Sequence, residues 1–116
     1  MQSHFRVDVS NDGRASVITV SGELDLASSA ALDEQLARVA SSGVDQVVVD
    51  LRELEFMDST GLSTLVKAHQ RAEEAGQQFG LVRGPQQVQR LLSLTGVEER
   101  LRFADTPEEL LGEDVG

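Results

Sequence analysis

The segment QVVVDL at 46–51 constrains the fold of this chain more than any other part of the sequence. Its run of valines has no polar alternation, which is typical of a strand covered on both faces. Strands of this kind lie inside sheets that carry helices on their faces. We therefore predict a central strand over 46–51 in an α/β domain.

The segments around this strand have helical periodicity. Residues 27–41 carry an apolar stripe that Gly43 can end, and residues 59–75 carry a second stripe. The later predicted elements continue the alternation: a strand at 78–83, a helix from Pro85, a short strand at 100–103, and a helix at the capping box that begins at Thr106. Strands that alternate with helices need right-handed crossovers, so these strands should run parallel.

The N-terminal segments have a different pattern. Residues 4–10 and 14–21 alternate apolar and polar side chains, with NDG at 11–13 between them, which predicts an antiparallel hairpin. The predicted fold class is thus α/β: a mixed, mostly parallel sheet with an N-terminal antiparallel hairpin, packed against helices. We expect one domain over 1–116, with its core at about 4–111.

Composition narrows the classes of partner. The chain has 116 residues, a formal charge of -10 and no Cys, Trp or Tyr. So acidic a chain is repelled by nucleic acid and by anionic membrane surfaces, and it has few aromatic rings on which bases could stack. We expect binding to neither, and we find no signal peptide or membrane-spanning run, so we expect a cytoplasmic protein. The charge is compatible with a basic protein partner, although acidity more often only keeps a chain soluble.

The motif Asp58-Ser59-Thr60-Gly61 lies where a buried strand is followed by a helix. Regulatory and ligand sites in α/β sheets favour that edge. The free N–H groups and the helix dipole would accommodate a phosphate on Ser59, whereas Asp58 would repel it, so that a phosphate would change the surface a partner meets. Gly61 would leave room beside the serine for another backbone or a phosphate donor. The simpler interpretation is a helix N-cap, which local chemistry alone favours.

A catalytic role for Ser59 lacks a base. The histidines of the chain are His4, on the first strand, and His69, more than two turns beyond Ser59. A nucleophilic serine needs a base within hydrogen-bond reach. There is also no G-x-S-x-G elbow, no Walker loop and no metal-ligand spacing. We expect no enzymatic activity, no cofactor and no metal.

The segment SGELDLASS at 21–29 ends the second predicted strand and opens the first helix. If that strand neighbours the strand before Ser59, the Glu23–Asp25 turn lies at the same edge of the sheet as Ser59. Two acidic turns would then flank one serine. A helix start capped by Asp25 or Ser28 is the simpler interpretation, and it explains Glu23 less well.

Together, SGELD at 21–25, VVVDL at 47–51 and FMDSTGLSTLV at 56–66 resemble the STAS domain. The resemblance covers nearly the whole chain and is specifically to the stand-alone bacterial anti-sigma factor antagonists. It implies that Ser59 is a phosphoacceptor, with Thr60 a minor second one. It also implies a partner surface formed by Asp25, Asp58, Thr60, Gly61 and Leu62, to which the acidic-turn argument adds Glu23.

The resemblance further implies a mechanism of partner switching. The unphosphorylated antagonist binds an anti-sigma factor, a serine kinase of the histidine-kinase-like ATPase fold, and thereby frees a sigma factor. Phosphorylation ends the binding, and a metal-dependent serine phosphatase restores it. ATP and magnesium belong to the kinase, so no cofactor is implied for this chain.

Other functions on the same fold remain open. One alternative is a non-phosphorylated STAS binding subunit of a signalling scaffold or of a transporter complex. A scaffold subunit usually carries an additional N-terminal domain, which we do not expect because Met1 lies close to the first strand. Transporter subunits often lack the serine that is present here. A small-molecule-binding module lacks an apolar pocket signature, and a hydrolase lacks a base.

Overall fold

The computed structural model describes residues 4–112 of the protein. Its elements in chain order are β1 (Arg6–Asp12), β2 (Ala15–Leu24), α1 (Ser29–Ala40), β3 (Gln46–Asp50), β4 (Leu54–Met57), α2 (Ser59–Glu74), β5 (Gln78–Val82), α3 (Gln86–Leu94), a short 3-10 helix (Val97–Glu99), β6 (Phe103–Ala104) and α4 (Pro107–Gly112).

The strands form one six-stranded sheet in the order β1-β2-β3-β5-β6, and β4 pairs with the far end of β2. The β1–β2 pair is antiparallel and the other pairs are parallel. All five residues of β3 are buried, as the valine run predicts for a central strand. The predicted α/β fold class and its N-terminal hairpin are confirmed.

The hairpin turns on Gly13, which has φ +63°. Asp12 pairs with Ala15, so the loop between the strands has two residues. A positive φ at the first loop position suits a glycine and matches the twist of the two strands.

Strand β4 was not predicted from the sequence, which showed no element between 51 and 59. The strand has four residues, and its buried-exposed-exposed-buried pattern follows neither the alternation nor the continuous burial that marks a strand. It pairs with residues 22–24 of β2, with a register shift beside Gly22. Gly22 has φ +85°, and a Cβ there would lie 2.5 Å from the His4 carbonyl oxygen. The glycine therefore lets β2 change from one partner strand to another.

The two faces of the sheet carry separate apolar clusters. The larger cluster joins α1, α2 and α3 to one face of the sheet, where Val47 and Val49 of β3 lie. The smaller cluster joins Val48 and Val82 to Leu110 of α4 on the opposite face. A Cβ at Gly80 would lie 2.8 Å from Leu110 Cδ2, so α4 packs directly on the sheet backbone.

Some predicted boundaries differ from those observed. Strand β6 begins at Phe103 rather than at residue 100, because the chain first forms the 3-10 helix. Pro85 is the N-cap of α3 rather than its first residue. The capping box of α4 forms, because the Glu109 N–H donates to Thr106 Oγ1 (3.3 Å). The bond from the Glu109 side chain goes to the residue before the cap, since Glu109 Oε1 accepts from the Asp105 N–H (3.1 Å).

Candidate functional site

Asp58 caps helix α2. Its Oδ1 accepts from the N–H groups of Thr60 (2.9 Å) and Gly61 (3.0 Å). Its own N–H donates to the carbonyl oxygen of Leu24 (3.1 Å), at the end of β2. The cap interpretation of the motif is therefore right for Asp58, which also ties the helix start to the neighbouring strand.

Ser59 is the first residue of α2 and its side chain is exposed. Within residues 4–112, no hydrogen bond engages its hydroxyl. Because Asp58 supplies the cap, the helix does not need Ser59 for that purpose. The site offers an accessible hydroxyl on a rigid helix terminus.

The expected accommodation of a phosphate by free N–H groups needs a correction. The N–H groups of Thr60 and Gly61 already donate to Asp58, so they are not free for an anion on Ser59. The positive end of the helix dipole still favours negative charge at this terminus. A phosphate on Ser59 would lie beside the Asp58 carboxylate and project from the surface.

The proposed reason for Gly61 is also wrong. Gly61 is buried, and a Cβ there would lie 2.7 Å from Leu24 Cγ and 2.8 Å from the Leu24 carbonyl oxygen. The glycine lets α2 approach β2 closely and opens no space beside the serine. Leu62, with 8 % of its surface exposed, belongs to the core. Contact of these two residues with a partner stays a prediction.

The Glu23–Asp25 turn lies beside Asp58, as the sequence predicted. Leu24 pairs with Met57 across β2 and β4, so the ends of both strands meet at one edge. This edge carries the carboxylates of Glu23, Asp25 and Asp58. It is the strand before the motif, β4 rather than β3, that brings the two turns together.

Hydrogen bonds hold this turn rigid. Asp25 Oδ1 accepts from the N–H groups of Ala27 (3.0 Å) and Ser28 (3.2 Å), and the Ser28 hydroxyl donates to the Glu23 carbonyl oxygen (2.8 Å). Ser28 makes no side-chain cap of α1, contrary to one of the expected interpretations. Asp25 thus shapes the turn whether or not it also meets a partner.

Two apolar side chains at this edge were missed by the sequence analysis. Leu26 is 76 % exposed and Phe56 is 48 % exposed. Phe56 lies opposite Glu23 in the β2–β4 pairing. Leu26 overhangs a cleft of about 320 Å³ between α1 and α2, lined by Leu26, Ser29, Ala30, Asp33, Thr60, Thr64 and Lys67. A leucine inside a polar turn, outside any apolar stripe, is the pattern that would have identified the first of these.

The loop that leads into β4 is fixed by an ion pair. Asp50 is buried at the end of β3 and accepts from Arg52 Nη2 at 2.8 Å and from the Arg52 N–H at 3.0 Å. This hydrogen bonding raises the pKa of the Arg52 guanidinium above its ordinary value. The ion pair and the backbone N–H bond to Asp50 fix the loop between β3 and β4.

Within residues 4–112, His69 makes its contacts elsewhere in the fold and no metal-binding cluster forms. The His69 ring packs 5.7 Å from the Phe79 ring, between their centroids, and its Nε2 lies 3.8 Å from Glu73. Across residues 4–112, no three side chains of the metal-ligating types come together. The helices of the same segment include none that is long and apolar enough to cross a membrane.

A known family model matches the part of the chain that contains the SGELD and DSTGL motifs. The family model described as "Mlab, STAS domain" matches residues 7–110. The chain belongs to the STAS-domain family. The resemblance that the SGELD and DSTGL motifs indicated is confirmed.

Relatives of this STAS-domain protein have regulatory names. The anti-sigma-F factor antagonist RsfB of Mycobacterium tuberculosis is 31 % identical over 107 residues, which span 90 % of this chain and 85 % of RsfB. The anti-sigma-B factor antagonist of Bacillus subtilis is 28 % identical over 96 residues, or 83 % of this chain and 87 % of that protein.

Solved structures share the fold. An anti-sigma factor antagonist from Mycobacterium paratuberculosis superposes with a TM-score of 0.87 and 27 % identity, covering 94 % of this chain and 92 % of that one. The Bacillus protein SpoIIAA has a TM-score of 0.80 in its unphosphorylated form, at 20 % identity and with coverage of 93 % and 95 %. At that identity, the second likeness concerns the fold alone.

Proposed function

We propose that this STAS-domain protein is an anti-sigma factor antagonist whose binding is switched by phosphorylation of Ser59. The unphosphorylated form binds an anti-sigma factor serine kinase, which then releases its sigma factor. The observation that carries the proposal is the accessible, unengaged hydroxyl of Ser59 beside the Asp58 cap, at one edge with the Glu23–Asp25 turn. The names of the relatives support the same class of function.

The electrostatics of the edge explain how a phosphate would act. A phosphoserine adds a charge of about -1.5 to -2 at neutral pH. The Asp58 carboxylate, whose Oδ1 caps the helix, lies next to the added group, and Glu23 and Asp25 lie in the adjoining turn. A phosphate on Ser59 would place like charges side by side in a desolvated interface, and like-charge juxtaposition in an interface costs several kcal/mol.

The apolar side chains at the edge give such an interface its non-polar part. Interfaces combine a desolvated apolar centre with a polar rim. Leu26 and Phe56 are exposed, and Leu26 belongs to the hydrogen-bonded turn while Phe56 pairs with Glu23. The proposed partner surface therefore includes Leu26, Phe56 and Ser59 together with the carboxylates of Glu23, Asp25 and Asp58.

The remaining components belong to the partners. The kinase supplies ATP and magnesium, a metal-dependent serine phosphatase restores the unphosphorylated form, and the exchange takes place in the cytoplasm. This chain contributes the serine and the surface around it. It needs neither catalytic residue nor cofactor for that role.

The test is phosphorylation of the full chain by its anti-sigma factor kinase with ATP, followed by peptide mass mapping and a binding measurement. Ser59→Ala should take no phosphate and should keep its affinity for the kinase, whereas Ser59→Asp should bind more weakly. Ser63→Ala is the matched control, because Ser63 is exposed on the same helix one turn later. It should behave as the parent does.

Two results would contradict the proposal. One is a Ser59→Ala protein that still accepts phosphate at a single site. The other is a Ser59→Asp protein that binds as tightly as the parent. If the protein taken from its native cells never carries phosphate on Ser59, a STAS subunit that acts by binding alone becomes the better description.

A further inference from the structure

Strand β1 forms a long edge of the sheet. It pairs with β2 over seven consecutive residue pairs without a bulge, and within residues 4–112 no other strand pairs with its outer side. The opposite edge, β6, has only two residues. Exposed edges are usually protected by Pro, charged side chains, bulges or short length. Strand β1 has no Pro, Lys or bulge, and its charged residues are one Arg and two Asp of opposite sign.

The hairpin determines which backbone groups face outward. A two-residue loop closes on a hydrogen-bonded pair, here Asp12 and Ala15, and bonded pairs alternate along an antiparallel ladder. Residues 6, 8, 10 and 12 therefore bond to β2. The N–H and C=O groups of Val7, Val9 and Asn11 point away from it.

The sequence of β1, RVDVSND, is self-complementary in one register. If a second copy pairs antiparallel with the two-fold axis at Val9, all seven residues find partners. Val9 then meets Val9 of the second copy, and Arg6 lies opposite Asp12 of the second copy, twice. Opposite charges that face each other across strands are stabilising. A register centred on Asp8 would instead place two carboxylates face to face.

The exposure of β1 is consistent with this pairing. Arg6 Nε pairs with Asp8 Oδ2 of the same strand (3.2 Å), an exposed ion pair that the dimer would exchange for, or share with, Asp12 of the second copy. Val9 is 41 % exposed and, with Asn11, borders a cleft of about 390 Å³ against Arg38 and Val39 of α1. The pairing would bring the two Val9 side chains together over that face. Strand β1 carries one Arg and two Asp, a net charge of 1 - 2 = -1, so it is nearly neutral in a chain of charge -10.

We propose that the β1 edge is a homodimer interface in which two copies pair antiparallel about Val9 to form one continuous sheet. The interface is isologous, so each of its contacts occurs twice. Backbone hydrogen bonds from Val7, Val9 and Asn11 supply the attraction, as in other strand additions. The Arg6–Asp12 pairs select the register.

Sedimentation of the full chain from micromolar to millimolar concentration tests this interface. The parent should pass from monomer to dimer. Arg6→Glu or Asp12→Arg alone should raise the dimer Kd by about tenfold, because each turns two opposite-charge pairs into like-charge pairs. The double variant Arg6→Glu/Asp12→Arg should restore the parental Kd. Arg90→Glu is the matched control, since Arg90 is exposed on α3 and its reversal changes the net charge equally.

Amide hydrogen exchange tests the same interface at single residues. The N–H groups of Val7, Val9 and Asn11 should gain protection as the dimer forms. The N–H of Asp8, which points to β2, should be protected at every concentration. We expect each charge variant to fold, because all the altered side chains are exposed. Circular dichroism of the variants checks this expectation.

Three outcomes would overturn the proposal: a parent that stays monomeric up to millimolar concentration, single variants that the double variant does not rescue, or an Arg90→Glu control that weakens the dimer as much as Arg6→Glu does. None of these measurements involves Ser59 or a kinase. Failure here therefore leaves the proposed switch intact, and failure of the switch leaves the dimer intact.

Discussion

At the scale of single residues, the DSTG motif separates into different tasks. Asp58 completes the first turn of α2 and Ser59 stays accessible. Gly61 fits α2 against Leu24. One short motif thus combines a cap, an accessible hydroxyl and a packing contact. Only the hydroxyl is dispensable for the fold, which is what a reversible modification requires.

The Asp58 carboxylate can be tested apart from the cap. Asp58→Asn should keep the cap, because Asn serves at N-caps as well as Asp does. It removes the negative charge beside a phosphorylated Ser59, so phosphorylation should weaken kinase binding less in this variant than in the parent. The measurement is the ratio of Kd values for the phosphorylated and unphosphorylated forms. Equal ratios in both proteins would show that the Asp58 charge is no part of the switch.

Gly61→Ala should destabilise the fold by about 1–3 kcal/mol, the usual cost of overpacking a tight contact. The added methyl group would meet both the side chain and the carbonyl oxygen of Leu24. Urea unfolding measures the change, with Ser63→Ala on the same helix expected to stay within about 0.5 kcal/mol of the parent. A Gly61→Ala protein as stable as the parent would contradict the packing role and favour the predicted role, in which Gly61 leaves room beside Ser59.

At the scale of elements, the site depends on how α2 is seated. Leu65 of this helix is completely buried. The helix begins directly after β4, and the Asp58 N–H joins its start to β2 by donating to the Leu24 carbonyl oxygen. The Arg71–Asp33 ion pair (3.2 Å) links the helix to α1 farther along. The N-terminus of α2 is therefore held in place by the core, and the proposed partner surface keeps one conformation.

Leu65→Ala should lower the free energy of unfolding by about 2–5 kcal/mol, because it leaves a cavity under α2. Leu94→Ala removes the same atoms from a side chain that is 76 % exposed, and it should change stability by no more than about 0.5 kcal/mol. Thermal and urea unfolding give both values. Equal losses of stability in the two variants would contradict the burial of Leu65 and the exposure of Leu94.

At the scale of the whole molecule, the charge of -10 leaves two interpretations open. If the acidity steers a basic partner, the association rate with the kinase should fall strongly between about 0.05 and 0.5 M salt, because screening weakens long-range attraction. If the acidity only maintains solubility, the rate should hardly change. Stopped-flow mixing at several salt concentrations decides between the two, and Glu34→Gln on α1 controls for the loss of one remote charge.

Local sequence patterns were sufficient to predict the fold class and to place the serine at a helix start. The valine run of β3, the apolar stripes of α1 and α2 and the NDG turn are local patterns, and each is decided by residues close in the chain. The DSTG motif identified the site because a cap and a hydroxyl are also local features. Resemblance to the STAS family added the expected switch.

The assembly of the site depends on contacts between segments that lie far apart in the chain. Strand β4 has too weak a pattern to form alone, and it exists because β2 changes partner at Gly22. The same pairing places the Glu23–Asp25 turn beside Asp58, and the folded chain leaves Leu26 and Phe56 exposed. Gly61 has its role because Leu24, 37 residues earlier (61 - 24), packs against it. Contacts between residues so far apart depend on the whole sheet, so no local pattern contains them.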